Sequence, residues 1–434
     1  MIKNFNELVE NTASKYKEAR KNALTILDSV LEKMNGYNII KSSVRIAGDG
    51  IVVRNKRFNL LPYKSIFLIG FGKASAAMAK AMEEIIPFDD GVVISPEKVE
   101  LKRIKLYKGS HPFPTEKNME ATEKIIEMLQ EADEDDLIIS LISGGGSSML
   151  CKPRISLGAM VEVTKELMEK GCTIEELNTV RKHLSLVKGG QLAKMTKAKI
   201  ISIIISDIIG NPIEFIASGP TAADSTTYSQ AMKILKKYGI KNGEAIKVIK
   251  RGMKGEIEET PKKLENVENI VIADVKIACK YAKEIAEELG YYSKIICTEL
   301  QGEAREVGRN LVEYAIYFPR NHSVLIAGGE TTVTVRGKGR GGRNQEIVLA
   351  AIKKMTNEAI IFISCGTDGI DGNSPAAGAI ADGYSYKKAK EKELDVNEYL
   401  DANNSYKFFE EIGDAIITGY TGTNVMDIQI MVKL

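Results

Sequence analysis

Two stretches carry residue types suited to gripping an anion. In LIISLISGGGSSML (137–150) an apolar run stops at Ser143, and Gly144, Gly145 and Gly146 lead into Ser147 and Ser148. Three glycines let main-chain N–H groups approach a ligand where any Cβ would clash, and successive N–H groups form an anion-binding nest. The serines add hydroxyl donors. In SIFLIGFGKAS (65–75) an apolar run ends at Gly70, and Gly72 and Lys73 open a helix. A helix start offers unpaired N–H groups and partial positive charge, and Lys73 adds a full one. The GxxxxGK[ST] spacing of a P-loop is absent, and Ala74 stands where a hydroxyl would meet magnesium.

Further along, TVRGKGRGGRNQE (334–346) sets Arg340 and Arg343 among glycines just before a helix at Asn344, with Glu330 upstream in GGE. Arginine's planar fork matches phosphate oxygens. Asp207 ends the apolar run ISIIISD (201–207), as an N-cap or a catalytic group. CGTDGIDGN (365–373) places Asp368 and Asp371 in a glycine-rich loop. Magnesium takes one or two carboxylates plus water and phosphate oxygens, which suits that pair. The basic stretch LNTVRKHLSLVKGG (177–190) contains Arg181 and Lys188. Taken alone it reads as a solvated helix face with His183 a satisfied polar group, although it could offer cations at a sheet edge.

The elements that position these residues alternate. Apolar runs at 65–70, 91–96, 137–143 and 201–207 predict strands, with helices at 74–85, 119–132, 156–170 and 175–196. Residues 5–34 predict one long amphipathic helix. A second series of runs begins near 269, and TTVTV (331–335) predicts a strand with one polar face. Continuous apolar strands between helices mean parallel strands buried on both faces. The expected class is therefore α/β: two α/β domains with largely parallel sheets flanked by helices. The charged segment 236–265 reads as a linker, giving domains 1–258 and 259–434, with the active site in the interdomain cleft. Ligands of such sheets bind outside the carboxyl ends of strands, which is where these motifs fall.

Composition narrows the options. The 434 residues carry 60 basic and 58 acidic side chains, so a nucleic-acid or membrane-surface footprint is not expected. No apolar run reaches the roughly 18–20 residues of a membrane span. Five scattered cysteines without a CxxC pair and only three histidines argue against disulfides and a zinc site, and a cytoplasmic setting is expected. Cations and bare N–H groups after strands, with acidic tips at Asp207 and Asp368, suit phosphoryl transfer, where positioning and electrostatics do most of the work. A phosphosugar-binding isomerase or regulatory module without kinase activity, and a non-catalytic nucleotide-binding protein, remain alternatives on the residues alone. A dehydrogenase is disfavoured because no GxGxxG motif follows a strand.

The set LISGGGSSML, LNTVRKHLSLVKGGQLA, SDIIGNPIEFIASGPTAAD, GGETTVTVRGKGRGGRNQE, GTDGIDGNSPAAGAIAD and TGYTGTN resembles the glycerate 2-kinase family with its C-terminal MOFRL domain. SHPFPTEKN (110–118) is similar to that family's His-Pro segment. The resemblance implies phosphorylation of D-glycerate by ATP, usually to 2-phosphoglycerate, with Mg2+ or another divalent cation. It implies small-molecule partners only and leaves a homodimer open. Carried over to this chain, it makes Lys73, Asp207, Arg343 and Asp368 the expected catalytic residues. Substrate or ATP binding is expected at Gly72, Ser143, Gly144, Gly145, Gly146, Ser147, Ser148, Arg181, Lys188, Glu330, Arg340 and Asn344. Metal is expected at Asp368 and Asp371.

Overall fold

A computed structural model describes all 434 residues, and the chain divides into two compact units. One is Gly36–Ile272; the other joins Met1–Asn35 to Ala273–Leu434. The division expected at 258/259 thus differs at both ends, and the N-terminal segment shows why. Helices α1 (Phe5–Glu10) and α2 (Lys17–Met34) replace the single helix expected over 5–34. The apolar stripe of α2, including Leu24, Leu27 and Leu31, is fully buried. Beside it Arg20, also fully buried, donates to Asp414 at 2.8 Å and lies 3.4 Å from Asp382, while Lys388 reaches Asp414 at 2.8 Å. A charge buried this deeply is held only where its partners are, so α2 is fixed to the 273–434 unit.

In the 36–272 unit, α3 (Gly36–Ser43) leads into an antiparallel meander that the sequence did not announce: β1 (Val44–Ala47), β2 (Gly50–Val53) and β3 (Lys56–Asn59). The main sheet comprises β4 (Ile66–Phe71), β5 (Asp90–Ser95), β6 (Ile104–Lys108), β7 (Leu137–Ile142), β8 (Lys199–Ile205) and β9 (Val267–Ala273). Their order is β6-β5-β4-β7-β8-β9, and the β4–β5, β5–β6, β4–β7 and β7–β8 pairs are all parallel. Renumbered from β4, this is the 3-2-1-4-5-6 order of the doubly wound nucleotide-binding fold, whose switch point lies between the first and fourth strands. Here those strands are β4 and β7. Every residue of β7 is buried, as its unbroken LIISLI run requires.

Helix α4 (Ser75–Glu83) follows β4 and buries Ser75, Ala76, Ala77, Ala79 and Ala81, side chains small enough for close packing. Helix α5 (Glu116–Glu131) starts from a capping box between Thr115 and Asn118. The short α6 (Gly146–Met149) follows β7. Then α7 (Leu157–Glu169), α8 (Ile174–His183), α9 (Tyr228–Lys237) and α10 (Gly243–Met253) share a separate apolar core that includes Leu167, Val180, Leu235 and Ile249. The reading of 236–265 as a linker is therefore corrected. Its charges line the outer face of α10, whose Ala245, Val248 and Ile249 face inward. Pro261 is packed too, its carbonyl accepting from the Asp224 N–H at 2.9 Å.

In the other unit, α11 (Val275–Glu288) precedes β10 (Tyr292–Leu300), α12 (Ala304–Tyr317), β11 (Ser323–Gly329), α13 (Arg343–Ala351), β12 (Ile360–Gly366), β13 (Gly378–Asp382), β14 (Ala415–Ile416) and β15 (Asp427–Lys433). The sheet order is β10-β11-β15-β12-β13-β14. The α/β class holds, with one difference: only β10 and β11 pair in parallel, and the other four pairings are antiparallel. Antiparallel strands covered on both faces carry the same continuous apolar signature as parallel ones, so composition does not separate them. Residues 331–335 form no strand; only Thr332 bridges to Glu303. The N–H groups of Arg336 and Gly337 instead donate to the Asn403 side chain at 2.7 and 2.9 Å. No helix is long and apolar enough to cross a membrane.

Candidate active site

The sheet order of the 36–272 unit puts the ends of β4 and β7 side by side, and the two motifs read from the sequence meet there. The Lys73 N–H donates to the Gly144 carbonyl at 2.9 Å, and the Ala74 N–H donates to Ser143 Oγ at 3.0 Å. Gly72 has φ +131°, and a Cβ on it would lie 2.2 Å from Ser143 Oγ, so glycine is required by both conformation and space. Gly145, at φ +79°, is less tightly confined: its Cβ would stand 3.0 Å from His111 and 3.4 Å from Lys73 Cγ. Lys73, the 143–148 loop and His111 therefore form one neighbourhood. Lys73 and Ser147 are half-buried, whereas Gly144, Gly146 and Ser148 are buried. Asp207 follows β8, the strand beside β7, and is half-buried in the 206–215 segment.

The hydroxyls of the loop are already organised. Ser147 Oγ lies 2.6 Å from Ser218 Oγ, which donates to Asn178 Oδ1 at 2.7 Å. Ser148 Oγ donates to the Pro112 carbonyl at 2.6 Å. Ser218 sits in a left-handed turn with Ala217 and Gly219, at φ values of 63°, 51° and 61°. Such a conformation costs about 1–2 kcal/mol for each non-glycine residue and persists only where the surroundings impose it. The N–H groups of Gly189 and Gly190 clamp the turn by donating to the carbonyls of Ser218 and Gly219 at 2.9 and 2.7 Å. Neither Ser218 nor Asn178 was an expected site residue, although both lie inside motifs that carry the family resemblance. The motif SDIIGNPIEFIASGPTAAD marked the place of Ser218 but not its role.

The basic stretch on α8 is not a solvated face. Lys182 and His183 are fully buried, paired with Asp224 at 3.1 Å and Glu259 at 2.9 Å. Lys188 is also buried and donates to the carbonyls of Ser147 and Leu150 at 2.6 and 2.9 Å, while Arg181 donates to the Ser147 carbonyl at 3.2 Å. Both cations thus fasten the carbonyl side of the glycine–serine loop from behind. Burial, with Arg181 nearby, brings the Lys188 ammonium down to about 7.

In the other unit the register of β15 builds a second cluster. Asp427, its first residue, pairs with Gly329 of β11 on one side and Gly366 of β12 on the other. Arg343 at the start of α13 grips the Asp427 carboxylate with Nε at 2.5 Å and a second guanidinium nitrogen at 2.9 Å, and meets Glu330 at 2.9 Å. Burial opposes this charge, but the two carboxylates outweigh it and hold the guanidinium firmly protonated. Arg340 is exposed and lies over the Tyr406 ring, 5.0 Å from its centroid. Asp368 is half-buried and accepts from the Ile370 N–H at 3.2 Å.

Two residues expected to bind ligands here face inward. Asp371 is buried and accepts from the N–H groups of Asn344 and Gln345 at 3.0 and 2.9 Å and from Gln345 Nε2 at 2.8 Å. It caps α13 from a neighbouring loop. Burial lifts its carboxyl to about 6 against the pull of those donors. Asn344, fully buried, accepts from Ser364 Oγ at 2.6 Å. Asp427 was missed in the sequence, where only one acidic residue before the apolar run IQIMV marks it.

A glycine–serine loop and a lysine turn thus meet at the switch point of a doubly wound sheet, the place where sheets of this class hold their ligands. The comparisons with known proteins agree. The model described as a domain of unknown function, DUF4147, matches residues 22–252, and that of the MOFRL family matches 323–427. The chain is 40% identical to the glycerate 2-kinase of Pyrococcus horikoshii over 430 residues, 96% of this chain and 97% of the relative. It is 40% identical to the D-glycerate 2-kinase of Thermotoga maritima over 378 residues, covering 84% and 89%. The crystal structure of the Thermotoga maritima glycerate kinase superposes with a TM-score of 0.85 at 36% identity, covering 96% of this chain and 100% of that one. The chain belongs to the glycerate 2-kinase family.

Proposed function

We propose that this protein transfers the γ-phosphoryl group of ATP to D-glycerate, giving 2-phosphoglycerate and ADP. The observation that carries the reading is the splice of the Lys73 turn onto the Gly144–Ser148 loop at the switch point, in a chain similar along nearly its whole length to glycerate 2-kinases. The loop's main-chain N–H groups hold an anionic oxygen, and the Lys73 ammonium neutralises the transferring group, while the Ser147 and Ser148 hydroxyls fix the loop through Ser218 and the Pro112 carbonyl. Asp207 takes the proton from the C2 hydroxyl as its oxygen attacks the γ-phosphorus, while the bond from that phosphorus to the ADP oxygen breaks. Arg340 binds phosphate oxygens. Arg343, tied by Asp427 and Glu330, positions the loop that carries Arg340.

A divalent cation, when bound, would neutralise phosphate oxygens, and the half-buried carboxylate of Asp368 suits it. Asp371 does not, because both its oxygens receive N–H groups of α13 in a sealed position.

The test is incubation with ATP, Mg2+ and D-glycerate, followed by enolase. A phosphoenolpyruvate signal without added mutase is expected. A signal only after mutase would assign the 3-isomer, and no ADP at all would favour the binding-module alternative.

A further inference from the structure

Beside the glycine–serine loop, within the 36–272 unit, lies a cavity of about 330 Å3. Its two ends differ in chemistry. One end holds His111, Gly145, Ser147, Arg181 and Lys188; the other is walled by Met160, Val161 and Met168 of α7, by Ile174 and Leu177 of α8, and by Phe113 of the loop after β6. Phe113, Met168 and Ile174 are 43%, 57% and 49% exposed, and all three rim this one mouth. Large apolar side chains gathered around a single opening mark a surface that a ligand covers. At the polar end Arg181 keeps its Nε buried without a hydrogen-bond partner.

Glycerate does not fit this description. Its three carbons carry a carboxylate and two hydroxyls, so it presents no apolar face to six apolar side chains. A nucleoside does: its base has two flat apolar faces, and methionine sulfur packs well against a ring. The size is also right, since pockets for such ligands begin near 300 Å3. The polar end fixes the direction. Gly145 lies between His111 and Lys73, so a ligand seated with its base on α7 and α8 extends its phosphates toward the Lys73 turn.

We propose that this cavity is the subsite for the base and ribose of the phosphoryl donor, a purine nucleoside triphosphate. The proposal rests on the kinase reading for its donor and goes beyond it in assigning where the base binds. The 143–148 loop then receives the donor's phosphates rather than the glycerate carboxylate.

The test has two arms. Val161, half-buried on α7, is replaced in Val161→Trp to fill the cavity, and the KM values for ATP and D-glycerate are measured separately. The expected result is a rise in the ATP KM of at least about tenfold, the scale on which a pocket discriminates by shape, with the glycerate KM unchanged. An unchanged ATP KM, or a rise confined to glycerate, overturns the assignment while leaving the kinase reading intact. The second arm uses the unaltered protein, so it decides the matter if the variant fails to fold. Irradiation with 8-azidoadenosine triphosphate is expected to label the tryptic peptide 155–165, which contains Met160 and Val161, with protection by ATP. Label confined to other peptides, or label in this one that ATP does not displace, overturns the proposal. Absence of phosphorylated glycerate from the unaltered protein would sink the kinase reading instead, and the labelling would still report the occupant of the cavity.

Discussion

The Lys73 N–H donates to the Gly144 carbonyl at 2.9 Å, across the boundary where the strand order of the sheet reverses. Although 71 residues apart in sequence, the two are brought together because β4 and β7 pair from Ile66–Leu137 to Phe71–Ile142. The bond uses the main chain of Lys73, and its side-chain Cγ stands beside Gly145, 3.4 Å from where a Cβ on that glycine would lie.

Lys73→Ala keeps that main-chain bond and removes the ammonium. Turnover should fall by about 10²–10³ or more, the usual scale for losing one transition-state charge partner. The melting temperature should stay within about 2 °C of the parent. Steady-state rates with ATP and D-glycerate, alongside a calorimetric melt, check both parts. Near-normal turnover would remove Lys73 from the mechanism.

Gly72→Ala tests the splice itself. A Cβ there meets Ser143 at a left-handed φ that alanine resists, so a stability loss of about 2–4 kcal/mol is expected, read as a shift in the urea midpoint. An unshifted midpoint would mean the two turns are not held together as described.

Lys188 makes stability depend on pH. Its ammonium titrates near 7 in the folded chain against 10.5 for an unperturbed lysine. Between these values the unfolded chain holds more protons, so this site's penalty is fully present below about pH 7 and fades as pH rises toward 10.5. Comparing urea midpoints at pH 7 and pH 9, the parent should gain stability relative to Lys188→Met. A pH-independent difference would contradict the placement of Lys188.

These residues also show what the sequence could and could not disclose. The Gly144–Ser148 loop and Lys73 were legible because glycine clusters after apolar strands have few structural uses other than close approach. Lys182 and Lys188 were not, because a lysine on a helix is solvated by default, and only the acid or carbonyl opposite it, distant in sequence, decides otherwise. The same holds for Asp371. It stands three residues after Asp368 among similar glycines and reads as an equal metal ligand, yet its oxygens are spent on α13. Helix α10 was lost to charge density because its buried side is only a narrow stripe. The antiparallel pairings of β15 depend on chain connections that residue types do not encode.

Asp371→Ala should leave the N–H groups of Asn344 and Gln345 at the start of α13 without this acceptor and cost about 2–4 kcal/mol. Metal dependence of the rate should remain, whereas Asp368→Ala should raise the Mg2+ concentration needed for half-maximal rate at least about tenfold. The reverse outcome would return the metal role to Asp371.

Arg20→Ala should cost about 3–5 kcal/mol, because Asp382 and Asp414 would be left buried without this partner. Differential scanning calorimetry would register it as a lower melting temperature. A neutral result would detach the N-terminal helices from the stability of the 273–434 unit.

The most direct measurement is the proton-coupled phosphorus NMR spectrum of the reaction with ATP, Mg2+ and D-glycerate. A new monoester resonance split into a doublet by the single C2 proton is expected, growing as the ATP γ-phosphorus signal declines. A triplet would place the phosphate on C3, and loss of the γ-signal to inorganic phosphate alone, or no loss at all, would contradict the assignment of glycerate as acceptor.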